Sequence, residues 1–115
     1  MANTSAYRVV GPTTAIAVTT ASSTAVTITP VGNDQVNYVG LLNTNNFPVA
    51  VTIAPTSAPA AVLPTGGNTS NSVVLGVSMS TPYVIAAPVN SYSITTICGG
   101  TNSGTIYVTP MADQN

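Results

Sequence analysis

"SYSITTICGGTNSGTIYVTP", residues 91–110, decides the fold class of this chain. Two runs of Ile, Val, Tyr and Thr flank a loop of Gly, Thr, Asn and Ser. β-Branched and aromatic side chains suit a pleated, half-covered surface. Glycine and asparagine supply the backbone freedom that a turn needs. The stretch therefore predicts a β-hairpin. It carries no charged side chain, where most soluble strands turn Lys, Glu or Arg toward water.

Working outward, the same features recur. Strand-like runs closed by Pro, Gly or Asn are predicted over Ala6–Val10, Thr14–Thr19, Thr24–Thr29, Asn37–Leu42 and Val49–Ala54. Val73, Leu75, Val77 and Met79 share a face, Tyr83–Ala87 is a short run between Pro82 and Pro88, and "MADQN" reads as a tail. No helical apolar stripe competes. The chain of 115 residues suffices for one domain with a modest core. The expectation is all-β: a single-domain antiparallel β-sandwich over 1–115, jelly-roll or immunoglobulin-like, of eight or nine short strands. Residues 1–10 form an N-terminal arm in this reading. Residues 55–71, "PTSAPAAVLPTGGNTSN", form an irregular Pro-rich excursion that forbids a helix and resists a central strand. Its apolar middle, Ala60–Leu63, is expected to pack against something.

Composition limits function more than any motif does. Charged residues make up 3% of the chain, namely Arg8, Asp34 and Asp113, against about 25% in an average domain. There is no His, Lys or Glu. A general base must titrate near working pH, and the two aspartates are isolated, one in the turn "GNDQ" and one in the tail. A Ser or Cys nucleophile lacks its usual base. The single cysteine, Cys98, reads as a buried apolar filler. Zinc needs His or Cys ligands and calcium several carboxylates. The reading is of a non-enzyme with no catalytic, cofactor-binding or metal residues and no cofactor. The five tyrosines are spread over separate runs and read as packing residues.

Partners are limited in the same way. With one cation there is nothing to neutralise phosphates or anionic lipid heads, so neither nucleic acid nor membrane is expected. No apolar run approaches the roughly 18 residues of a membrane span. The start "MANTSAYRVVGP" lacks a basic segment followed by an apolar block, so no secretory leader is read there. A net charge of −1 removes self-repulsion and favours association.

The stretches "MANTSAYRVVGPTTAIAV", "NYVGLLNTNNFPVAVTIAP" and "YSITTICGGTNSGTIYVTPMADQ" resemble small β-rich virion proteins of tailed bacteriophages, in particular capsid cement or decoration proteins. The resemblance implies a structural protein made in the host cytoplasm and placed on the capsid exterior. There it would bridge neighbouring major capsid subunits by apolar and backbone contacts. It also implies self-association, a homotrimer before a dimer. The alternatives are a receptor- or carbohydrate-binding β-sandwich of a head or tail fibre, or a self-assembling shell or filament subunit. The residues expected at a partner interface are Tyr7, Arg8 and Val9 of the arm and Pro59, Val62, Leu63 and Pro64 of the excursion. Arg8 is either an edge charge that blunts aggregation or a planar fork that docks on a carboxylate.

Overall fold

The computed structural model describes residues 7–30, 37–64, 72–88 and 91–113. They form nine strands: β1 (Tyr7–Val9), β2 (Thr14–Val18), β3 (Val26–Ile28), β4 (Asn37–Leu42), β5 (Val49–Ala54), β6 (Val73–Leu75), β7 (Tyr83–Ala87), β8 (Tyr92–Cys98) and β9 (Gly104–Asp113). The strands lie in a five-stranded and a four-stranded sheet. Arm residues 1–6, Asp34 with its turn, and excursion residues 65–71 lie outside the described residues.

The pairing is nested and antiparallel. β2 pairs with β9, β3 with β8, β4 with β7 and β5 with β6, so the chain is one long hairpin folded over on itself. Two more ladders, β4 with β9 and β5 with β8, join these pairs side by side. The resulting orders, β2-β9-β4-β7 and β3-β8-β5-β6, are those of an eight-stranded jelly roll with β1 added beside β9. The immunoglobulin-like alternative is excluded by this order.

The opening stretch is corrected accordingly. β8 and β9 are both present, but they belong to different sheets and do not pair. The connection through residues 99–103 is an arch across the sandwich, with Gly100 at φ +67° taking the left-handed turn. Alternation tells which side chains face inward, and it is the same for a hairpin and for an arch. Tyr92, Ile94 and Cys98 on β8 meet Ile106 and Val108 on β9 across the core instead of beside them.

Two further expectations change. Residues 7–9 are not a free arm: they pair with Asp113, Ala112 and Met111 of β9. "MADQN" is not wholly a tail, because β9 continues through Pro110 to Asp113. A proline inside a central strand is tolerated only where the ladder is already broken. Here the chain between β1 and β2 bulges at Val10–Thr13, where Val10 N–H still donates to the Pro110 carbonyl at 2.9 Å. The run expected from Val73 to Met79 stops at Leu75; Ser78 has φ +51° and turns the chain.

The core draws Ile16, Val18, Val39, Leu41, Ile106 and Val108 from one sheet and Ile28, Val49, Val51, Leu75, Tyr92 and Ile94 from the other. Each large side chain removed from water in this way contributes about 1.5–3 kcal/mol. One corner is sealed by a neutral polar knot. Asn43 is fully buried. Its Nδ2 donates to Phe47 O at 2.8 Å and Gly76 O at 2.9 Å, and its Oδ1 accepts from Asn45 N at 3.1 Å and Asn45 Nδ2 at 2.8 Å. The backbone closes the same corner, since Met79 N–H donates to Asn43 O at 2.9 Å. Asn43→Ala leaves buried carbonyls unpaired and is expected to cost about 2–4 kcal/mol in denaturant unfolding.

Tyr92 presents the opposite case. Its side chain is 1% exposed and its hydroxyl has no hydrogen-bond partner among the described residues. Desolvation by burial pushes its pKa from 10.0 up to about 12. Above pH 10 an unfolded chain releases this proton while the folded one keeps it. Stability is therefore intact below pH 10 and falls as pH rises toward 12. Tyr92→Phe is expected to keep or slightly raise the midpoint at neutral pH and to flatten that alkaline loss, read by chemical denaturation at stepped pH.

Candidate functional site

The two sheets treat their outer faces differently. On the four-stranded sheet the outward side chains include Thr52, Ser93 and Thr95, and all three are buried. What covers them is the Pro-rich segment, whose residues 55–64 run over this face as a strap. Proline removes donors and presets an extended backbone, so the strap cannot pair as a strand. It is fixed by side-chain hydroxyls instead. Ser93 Oγ accepts from Ala58 N at 2.6 Å and donates to Thr56 O. Thr95 Oγ1 donates to Pro59 O at 2.7 Å, and Ser22 Oγ accepts from Ala61 N at 2.8 Å. Ser72 Oγ donates to Val62 O at 3.3 Å and shares a bond with Thr52 Oγ1 at 2.8 Å.

This anchoring divides the strap into two sides. Ala58 and Ala61 are buried against the sheet. Pro59 and Pro64 are exposed, Val62 is 50% exposed, and Leu63 is half-buried beside Gly99. The four residues expected at an interface thus belong to one strap whose backbone is held from below, with three of them facing outward.

Among the described residues no comparable strap crosses the outer face of the five-stranded sheet. The register places Val9, Met111, Tyr38 and Ala86 in a row across it. Thr109, Gly40 and Val84 form the next row, then Ala15, Tyr107 and Leu42, then Ala17 and Thr105. Val9 is 62% and Tyr107 39% exposed. Ala15, Ala17 and Ala86 are exposed too, while Tyr38, Leu42, Val84 and Met111 are half-buried. No residue in these rows is charged at neutral pH. Arg8, exposed on β1, alternates with Val9 and so does not lie in the rows.

The predicted interface residues therefore separate. Val9 belongs to the outer face of the five-stranded sheet, with Tyr7 and Arg8 on the same edge strand; Pro59, Val62, Leu63 and Pro64 lie on the other side of the sandwich. Sequence reading missed the outer rows of the five-stranded sheet, because they are contributed by strands far apart in the chain. It also missed Ser93, Thr95 and Ser72 as anchors; Ser and Thr are too common here to stand out.

Two hollows remain. A groove of about 220 Å³ opens between the edge strands β6 and β7, lined by Val73, Val74, Leu75, Gly76, Met79 and Tyr83. A cleft of about 300 Å³ beside the strap is lined mainly by hydroxyls, among them Thr27, Thr56, Ser57 and Ser91. Its one aromatic, Tyr92, belongs to the core cluster. Cys98 is buried, donates to Asn102 O at 3.4 Å, and has its thiol pKa pushed up by desolvation. No cluster of three potential metal ligands occurs among the described residues. Comparison with protein-family models, curated proteins and solved structures finds no match to this chain.

The anchoring has a direct test. The double change Ser93→Ala, Thr95→Val is expected to lower stability by about 1–3 kcal/mol. Hydrogen exchange should show Ala58 and Ala61 losing protection while β9 keeps its own.

Proposed function

We propose that this chain is a structural protein that docks on the outside of an assembled shell and holds neighbouring subunits together, in the manner of a phage capsid decoration protein. One observation carries the reading: an apolar strap, Pro59 to Pro64, faces outward on a backbone immobilised by its own sheet. A rigid loop loses little freedom on binding, so most of its burial energy remains for affinity. Dewetting contributes about 25 cal/mol per Å² of apolar surface. An exposed ion pair contributes about 0–1 kcal/mol and weakens in salt.

The architecture is in keeping. Eight-stranded jelly rolls recur in viral capsid proteins, and also in lectins and cupins; that is likeness of architecture, and function resides in the surface. The surface here offers small apolar groups, hydroxyls and prolines. Many weak contacts repeated over a shell sum to strong avidity.

Co-sedimentation with mature, emptied heads of the phage that encodes the chain tests the reading. Wild-type protein is expected to bind and to stay bound at molar salt, since few charges are involved. Val62→Asp places an unpaired charge in the contact and should cut occupancy at least about tenfold while the fold persists. Failure of the wild type to bind, or full occupancy by both Val62→Asp and Pro59→Asp, sinks the proposal.

A further inference from the structure

The strap meets its sheet once every three residues. We infer that residues 58–64 form a polyproline II helix whose partner is a protein groove lined by Trp or Tyr rings; the identity of that partner rests on the docking role proposed above.

Three observations converge on the helix. The first is torsional. Proline fixes φ at about −65° at Pro59 and Pro64. The residue before a proline is driven to extended or polyproline II backbone, which adds Ala58 and Leu63. The second is isolation. The backbone runs through 58–64 without strand, turn or bend, so it is extended yet outside both sets of ladders. The third is the period. Ala58 and Ala61 are buried, whereas Pro59, Ala60 and Val62 are exposed. The anchored amides belong to the same Ala58 and Ala61, and the anchored carbonyls to Pro59 and Val62. A strand repeats every two residues and would bury Ala60 with Ala58. Polyproline II has three residues per turn and rises about 3.1 Å for each.

This geometry selects the partner. Two ridges face outward: Pro59 with Val62, and Ala60 with Leu63, the members of each about 9 Å apart. Leu63 leans on Gly99, which half covers the second ridge at that end. The anchored backbone cannot flatten onto a surface, so the surface must supply the slots. Polyproline II also makes no internal hydrogen bonds. Its period turns the carbonyls of Ala60 and Ala61 off the anchored side, and an aliphatic surface would bury them unpaired. Trp and Tyr answer both needs, because a flat apolar ring carries an N–H or O–H donor at its rim. Aromatic-lined grooves are the general means of holding such helices.

Two experiments on the full chain test this. Nuclear magnetic resonance of the free protein should give φ of about −75° and ψ of about +145° through residues 59–63. Strand or turn torsions there overturn the helix. Co-sedimentation with mature, emptied phage heads then compares variants at position 62, whose amide no anchor uses. Val62→Pro keeps the helix and its ridge and should bind within about threefold of the wild type, or tighter. Val62→Gly removes the ridge and loosens the backbone, and should bind at least about tenfold more weakly. Tighter binding by Val62→Leu together with a tenfold loss for Val62→Pro is the order of a plain apolar contact and overturns the groove. Electron cryomicroscopy of saturated heads should place at least two Trp or Tyr rings within about 4.5 Å of Pro59 and Val62. Heads bound through a strap contact without such rings overturn the partner alone. Heads that do not bind the wild type overturn the docking role and the partner together.

Discussion

Neutral hydrogen bonding is the constraint on which this structure rests. With almost no ionisable groups, every irregular segment must be fixed by hydroxyls, amides and backbone. Asn43 ties two turns together at one corner of the sandwich. Ser93, Thr95, Ser22 and Ser72 hold a segment whose prolines keep it out of the ladders. Such bonds contribute about 0.5–1.5 kcal/mol each when made and cost more when one partner is removed. They are also little affected by ionic strength, unlike the surface ion pairs that do similar work elsewhere.

The strands were legible in the sequence because alternation and punctuation are local. Thr24–Thr29, Asn37–Leu42 and Val49–Ala54 each contain the strand found, with boundaries shifted by a residue or two at most. Pairing was not legible. "ICGGTNSGTI" fits a hairpin and an arch equally, since each needs a glycine-rich turn and inward residues at every second position. The choice is made by the whole set of ladders, with β9 taken up by β1, β2 and β4. Likewise Asn43 read as a turn residue because its distant acceptor, Gly76 O, lies thirty-three positions away. Within the Pro-rich excursion, residues 55–64 lie on the chain's own four-stranded sheet, a placement set by hydroxyl anchors far away in sequence.

The site was legible only in outline. The expectation of a holding role comes from the chain's poverty in titrating groups, and the proposal above takes it up. Which side chains share an outer face depends on register, and the rows from Val9 to Ala86 exist only once β1, β9, β4 and β7 lie side by side. Arg8, the one residue that invited a specific role from sequence, sits at the margin of that face.

The nested pairing also governs how the molecule is made. β9 is the central strand of its sheet and is contributed by residues 104–113, at the far end of the described chain. Until those residues leave the ribosome, β1 and β2 have no neighbour, and β4 has only its β7 edge. Loop closure across so many residues precedes any reward from contacts, which slows folding. During that interval a nearly uncharged, β-prone chain exposes apolar strands, the condition in which association competes with folding.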